Sequence, residues 1–284
     1  MLKPVYAYFW DECYAIFILN FDILSCTFAL HIIIKRSMSG HNKWSTIKRK
    51  KGALDAKRSK IFSRITKEIM IAVKEGGPDP DGNARLRLAV NNAKGVNMPK
   101  DNILRAINKA DKDSAALQEV TFEGYGPGGI AIYIECMTDN NNRTVSAIRS
   151  TFTKKGGSLG TNGSLGFLFE RKGVFTIPKA NINIEELELD LIDGGAEDID
   201  VSEDSVVIYT AKEDFGQMQK TLEDLKIEIE NASLQPVPND YKSVDTSTAI
   251  KVLRLVEEFE DNDDVQNVYH NLEITDEVMA RMDE

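Results

Sequence analysis

Apolar residues recur every third or fourth position as far as residue 110, and from residue 120 they recur mostly every second position. No single kind of element satisfies both periods, because side chains share a helix face at i, i+3 and i+4 but a strand face at i and i+2. The chain therefore reads as helical first and sheet-bearing afterwards, an α+β protein.

Ile61, Ile65, Ile69 and Val73, with Phe62 and Ala72 alongside, predict one apolar helix stripe that Gly76, Gly77 and Pro78 end. A second helix is expected over residues 84–94, with Leu86, Ala89, Val90 and Ala93 inward and Gly95 as its stop. A third begins near Pro99, a good first-turn residue, and buries Ile103, Leu104 and Ile107. Past residue 120, Ile130, Ile132 and Ile134 alternate with Ala131, Tyr133 and Glu135 as in a half-buried strand. Asn140, Asn141 and Asn142 predict a turn, Val145, Ile148 and Phe152 a helix stopped by Gly156 and Gly157, and residues 165–169 a strand.

Residues 174–177, 184–192, 198–201, 206–210, 215–225 and 227–232 then read strand, helix, strand, strand, helix, strand, which is the ferredoxin-like order. After Pro236 and Pro238 only a helix carrying Ala249, Val252, Leu253 and Val256 and a strand over 265–269 remain, too little to fold alone. They are expected to complete the sheet begun near Val120. The expected plan is an N-terminal helical domain over 38–115 and a discontinuous α/β domain over 116–169 and 236–284, with a ferredoxin-like domain over 170–235 inserted within it.

Charge is distributed as unevenly as period. The chain has a net charge of −10, yet residues 38–112 hold 18 Lys and Arg against 7 Asp and Glu, whereas residues 113–284 hold 14 against 35. Such asymmetry favours a polyanion-binding head on an acidic body. The densest stretch, 43–64, carries Lys43, Lys48, Arg49, Lys50, Lys51, Lys57, Arg58, Lys60 and Arg64 with Asp55 as the one acid, and Trp44 supplies a stacking group. These nine cations and Trp44 are the candidate nucleic-acid-binding residues. A solvated face, or a tail drawn to the acidic body, is the alternative. Four consecutive cations at 48–51 repel one another, and a polyphosphate relieves that repulsion while releasing its counterions, which favours nucleic acid. Arg85, Arg87, Lys94, Lys100, Arg105 and Lys109 are expected on the outside of the second and third helices.

Several chemical motifs fail on inspection. Gly124, Gly126 and Gly129 fit G-x-G-x-x-G, but a dinucleotide site needs that turn to open a helix, and here a strand follows while Pro127 removes an amide donor. Gly156, Gly157, Gly160 and Gly163 lack the Lys-Ser/Thr of a phosphate loop and read as a helix cap and a turn. Beyond residue 37 the only histidines are His41 and His270 and the only cysteine is Cys136, since Cys13 and Cys26 precede it, so neither a zinc site nor a disulfide framework is expected. His270, between Tyr269 and Asn271, reads as a hydrogen-bonded structural residue. Glu257, Glu258, Glu260, Asp261, Asp263 and Asp264 offer oxygens to a hard cation but lack the glycine and spacing of a calcium loop. A solvated face, or one attracted to the basic head, is the expected reading. No catalytic triad presents itself, and no cofactor or metal is expected. A non-enzymatic nucleic-acid binder is thus favoured over an enzyme using the acidic C-terminal surface.

Four segments carry a family resemblance. Met38-Ser-Gly-His-Asn-Lys-Trp-Ser, Asp55-Ala-Lys-Arg-Ser-Lys-Ile-Phe-Ser-Arg, Glu123-Gly-Tyr-Gly-Pro-Gly-Gly and Asp263-Asp-Val-Gln-Asn-Val-Tyr-His-Asn closely resemble the YebC/PmpR family, in order, from residue 38 to about 278. The resemblance implies a three-domain plan and a non-enzymatic role. Bacterial members are described as promoter-binding transcriptional regulators, and organellar relatives as translational activators at the ribosome. DNA is therefore the expected partner, with the ribosome and its RNA as the alternative, no small-molecule substrate, and a cytoplasmic location.

Residues 1–37 have no place in that pattern. Residues 14–34 are mostly apolar and long enough for a membrane span, but Asp22 and His31 interrupt them, and Asp11 and Glu12 precede them instead of a positive n-region. Translation is expected to begin at Met38, in which case no membrane partner is expected; a membrane anchor is the alternative.

Overall fold

A computed structural model describes residues 54–112, 117–180, 183–202 and 204–282. Three helices come first: α1 (Leu54–Gly76), α2 (Ala84–Gly95) and α3 (Lys100–Lys112). They share a core of Ile65, Ile69, Ala72 and Val73 from α1, Leu86, Ala89 and Ala93 from α2, and Ile103 and Ala106 from α3, with Met98 between the last two helices. Asn83 joins α1 to α2. Its Oδ1 accepts from the Leu86 amide at 3.0 Å, capping α2, while its Nδ2 donates to the carbonyls of Ala72 at 2.7 Å and Gly77 at 2.9 Å. Two residues assigned to the apolar stripes lie outside them, since Ile61 is 41% and Leu104 47% exposed. In α3 the buried face is taken by Ile103, Ala106 and Ile107, and Leu104 falls on the neighbouring face.

The remaining described chain builds two antiparallel four-stranded sheets. The first has the order β3-β1-β2-β8, from β1 (Gln118–Tyr125), β2 (Ala131–Thr138), β3 (Ser158–Leu159) and β8 (Val265–His270). One face is covered by α4 (Asn141–Lys154), α7 (Thr246–Glu260) and α8 (Asp276–Met282), around Ile132, Ile134, Ile148, Phe152, Val256 and Phe259. The glycine motif between β1 and β2 is a tight turn of 3-10 helix, Pro127–Gly129, followed by a strand as expected. Gly128 there has φ 71, and a Cβ on it would meet the Thr248 methyl at 2.9 Å.

The second sheet has the order β5-β6-β4-β7, from β4 (Phe169–Pro178), β5 (Ala196–Val201), β6 (Ser205–Ala211) and β7 (Asn231–Pro238). With α5 (Ile184–Asp193) and α6 (Phe215–Asp224) on one face it is the ferredoxin-like unit, built around Phe175, Ile177, Leu191, Ile208, Met218 and Leu222. All of it comes from chain between β3 and α7, so one α/β unit is inserted within the other.

Local departures have physical causes. Residues 165–168 form turns, and the strand starts at Phe169. Leu165 is fully buried because the Glu123 carboxylate gathers the amides of Gly163 at 2.8 Å and Leu165 at 2.6 Å and folds the loop inward. Asn140 caps α4 through its Oδ1 and the Arg143 amide, so the asparagine run starts a helix. β7 begins at Asn231 and contains Pro236 and Pro238, which an edge strand tolerates because one side of it needs no ladder donors. β2 is covered on its second face as well, by a cluster of Ala131, Leu165, Phe169 and Tyr269. The short helix α8, anchored by Val278 and Met282, was not expected. Gly95 is the last residue of α2, and the reason for glycine there is contact: a Cβ would lie 2.1 Å from the Glu230 carbonyl oxygen.

Candidate nucleic-acid interface

α1 carries the described part of the basic head. Lys43, Trp44, Lys48, Arg49, Lys50 and Lys51 lie outside the described residues, as does the side chain of Lys57. Arg58 is exposed, its guanidinium carbon 5.5 Å from the centre of the Phe62 ring. From Lys60 to Lys67, the cations face the body. Lys60 pairs with Asp261 at 3.0 Å, Arg64 donates to the Glu260 carbonyl at 3.0 Å, and Lys67 donates to the carbonyls of Asp263 at 2.6 Å and Met137 at 3.3 Å. Positions 60, 64 and 67 follow the i, i+4, i+7 spacing of a single helix face. That face lies along the acidic segment after α7, so part of the head is held by the opposite charge of the body. Burial lowers the pKa of Arg64, against the raising influence of Glu260 and Asp261.

The acidic segment is only partly a solvated face. Asp264 is buried, accepting hydrogen bonds from Arg143 Nη2 at 3.0 Å and Thr144 Oγ1 at 2.9 Å, with Lys67 at 4.0 Å. Burial alone would raise its carboxyl, but the hydrogen bonds from Arg143 and Thr144 and the charges of Arg143 and Lys67 outweigh it and hold the pKa below the usual value. Glu258 pairs with Lys155 at 2.7 Å. Among the described residues no three His, Cys, Asp or Glu side chains gather as a metal site.

Arg87, Lys94, Lys100, Arg105 and Lys109 stand exposed on α2 and α3, where helical spacing placed them. Arg85 differs: it pairs with Glu75 at 2.6 Å and with Glu119 on β1. The pairing follows from its position at the rim of a cleft of about 1120 Å³ between the helices and the two sheets. Arg64 and Glu68 of α1, Glu119 of β1, Glu135 of β2, Arg171 of β4 and Gln266 of β8 also line it. Arg171 bridges to Glu135 at 2.8 Å. Burial raises the pKa of Glu68, opposed by Arg85, and burial likewise raises that of Glu135, opposed by Asn267 and Arg171. This cleft was not foreseen from sequence, because lone acids inside apolar-periodic runs read as solvent-facing positions.

Cys136 and His270 are both held in structural settings. Burial and the nearby Asp264 charge push the Cys136 thiol up to about 12. His270 is fully buried, with Nδ1 accepting from the Leu272 amide at 3.3 Å, a structural role as expected. Among the described residues no helix is long and apolar enough to cross a membrane, and residues 1–37 lie outside them.

Comparison with known proteins adds the following. Residues 42–113 match the family described as TACO1/YebC protein N-terminal domain, and residues 117–272 match TACO1/YebC second and third domain. A "probable transcriptional regulatory protein" of Geotalea uraniireducens (strain Rf4) is 48% identical over 247 residues, covering 86% of this chain and 100% of that protein. A protein of the same description from Amoebophilus asiaticus (strain 5a2) is 51% identical over 239 residues, covering 83% and 98%. The crystal structure of a conserved hypothetical protein from Aquifex aeolicus superposes with a TM-score of 0.75 at 43% identity, covering 81% of this chain and 96% of that one.

Proposed function

The chain belongs to the TACO1/YebC family, and from that membership we propose that it is a non-enzymatic regulator of gene expression that binds DNA through its basic N-terminal domain. The observation that carries this reading is the segregation of charge: 18 cations against 7 acids in residues 38–112, on a body of 14 against 35. Relatives named as transcriptional regulators support the regulatory role. The phosphate contacts are assigned to Lys43, Lys48, Arg49, Lys50, Lys51, Lys57 and Arg58, with Trp44 stacking on an exposed base or ribose. Lys60 and Arg64 brace the head against the body until phosphate competes for them. A regulator of this kind works in the cytoplasm, where its nucleic acid is.

Salt dependence tests the proposal. If about six cations contact phosphate, log K falls with log salt at a slope of about −5 on duplex DNA. Replacing all four cations of 48–51 with serine reduces that slope by up to about 3 to 4 units. An unchanged slope refutes the basic head as the site. Tighter retention on ribosomal RNA than on duplex DNA at equal salt would put the ribosome in place of the promoter.

A further inference from the structure

The geometry points to a second binding site, in the cleft between the helical domain and the two sheets: we propose that it holds a small zwitterion of the amino-acid class, with the carboxylate on Gln266 and Arg64 and the ammonium on Glu68. This site does not rest on the nucleic-acid reading, and of the candidate nucleic-acid-binding residues only Arg64 contributes to it.

Gln266 is the first observation. It is only 5% exposed, lines the cleft, and its Nε2 makes no hydrogen bond. A buried amide donor left unmet is destabilising, and such donors are rare in folded proteins unless a ligand or water meets them. Its position is unusual too. Glu135 pairs with Asn267 and the next residue, Cys136, with Val265, so Gln266 is the extra residue of a β-bulge. Bulges re-aim side chains and occur beside functional sites. Here Val265 points into the helix-covered core while Asn267 reaches Glu135 on the cleft side at 3.2 Å. The Arg64 Nε is a second buried donor without an acceptor, its Nη2 being committed to the Glu260 carbonyl. Two unmet donors lining one cleft call for an anionic or carbonyl acceptor.

Glu68 supplies the opposite pole. It lies one helical turn from Arg64, where Cβ atoms four residues apart stand about 5 to 6 Å from each other and the two side chains share a face. A molecule with its ammonium and carboxylate on one carbon spans that gap. Glu68 has no ion-pair partner among the described residues: Arg85 is held by Glu75 and Glu119, and Arg171 by Glu135. Its carboxyl feels the charge of Arg85 first and then those of Glu119 and Glu135, and Arg85 is already shared between two other carboxylates. Glu68, Glu119, Glu135 and Glu223 share the space with the cationic side chains of Arg64, Arg85, Arg87, Arg171 and Lys220, a mixed lining that suits a ligand carrying both charges better than a phosphodiester. With about 1120 Å³ available, the cleft leaves room for an amino-acid side chain of any size, with water around it.

The test uses the full chain, titrated calorimetrically and heated in the presence of each of the common free amino acids, with acetate and methylammonium as single-pole probes. At least one amino acid is expected to bind with one-to-one stoichiometry and raise the unfolding temperature. Glu68→Gln and Gln266→Met, which keep volume while removing one pole each, should each weaken that binding by about tenfold or more. Both variants should retain wild-type circular dichroism and an unaltered salt slope on DNA, so failure of this site and failure of the DNA reading are told apart. The proposal is overturned if no amino acid shifts the wild-type transition, if binding survives both substitutions, or if acetate or methylammonium alone binds as tightly as any amino acid.

Discussion

Asp264 illustrates what one side chain does across a long loop of chain. Its carboxylate ties β8 to α4 through Arg143 and Thr144, and it is followed by only a 4.0 Å approach to Lys67 of α1. Because its folded pKa is depressed, its contribution to stability is fully present above the unfolded carboxylate pKa of about 4 and is lost as pH falls through the folded value. Asp264→Asn should therefore destabilise the protein by about 1 to 3 kcal/mol at neutral pH. Below the folded pKa it should match wild type. Urea unfolding at pH 7 and under acid measures both, and an equal deficit at both pH values would contradict the linkage. Glu68 and Glu135 act with the opposite sign: their raised pKa values favour the fold at low pH, and that advantage is lost as pH rises through them. None of this was visible in the run of acids from 257 to 264, because the partners of Asp264 lie 120 and 121 residues away.

At the scale of an element, α1 has two jobs, closing the helical core with one face and resting on the acidic segment with another. The Lys60–Asp261 pair at that contact is solvent-exposed, so Asp261→Asn should change stability by no more than about 1 kcal/mol. If the freed Lys60 then reaches phosphate, the salt slope on DNA should steepen by about 0.9, the share of one contact. An unaltered slope would place Lys60 away from the nucleic acid. Elements such as α1 and α2 were legible because their stripes and stop residues agree. β7 was misplaced because Pro236 and Pro238 read as breakers, and only its place at a sheet edge, a tertiary fact, makes them admissible. The loop at 165–168 misled for the converse reason: Leu165 is buried by the Glu123 clamp and not by strand pairing, while Phe167 stands 71% exposed.

For the whole molecule, the inserted unit enters and leaves at one place, since Phe169 and Pro238 are paired across β4 and β7. Excising residues 170–237 and joining the ends through a short Gly/Ser linker should leave the β3-β1-β2-β8 sheet folding cooperatively. The truncated protein should be less stable, because Leu88 loses its place against the second core, Glu135 loses Arg171, and Asn92 loses both its partners. Loss of all cooperative unfolding would argue for one indivisible α/β body. The ferredoxin-like order was legible in the alternation of periods, whereas the clasp that binds the inserted unit to α2 was not, because it consists of one carboxamide, the close approach at Gly95 and the seat of Leu88 on the second core.

That carboxamide has a consequence for solubility. Asn92 Nδ2 donates to the Ala232 carbonyl at 2.9 Å and its Oδ1 accepts from the Ala232 amide at 3.0 Å, so a side chain takes the two bonds that a neighbouring strand would otherwise make with β7. Further along the same edge, Pro236 and Pro238 offer no amide at all. An open sheet margin is a template for self-association, and this one is shielded by a counterfeit strand one residue long and two prolines. Asn92→Ala should unmask it, and thioflavin-reactive aggregates appearing at temperatures where the parent stays clear would reveal the exposed margin.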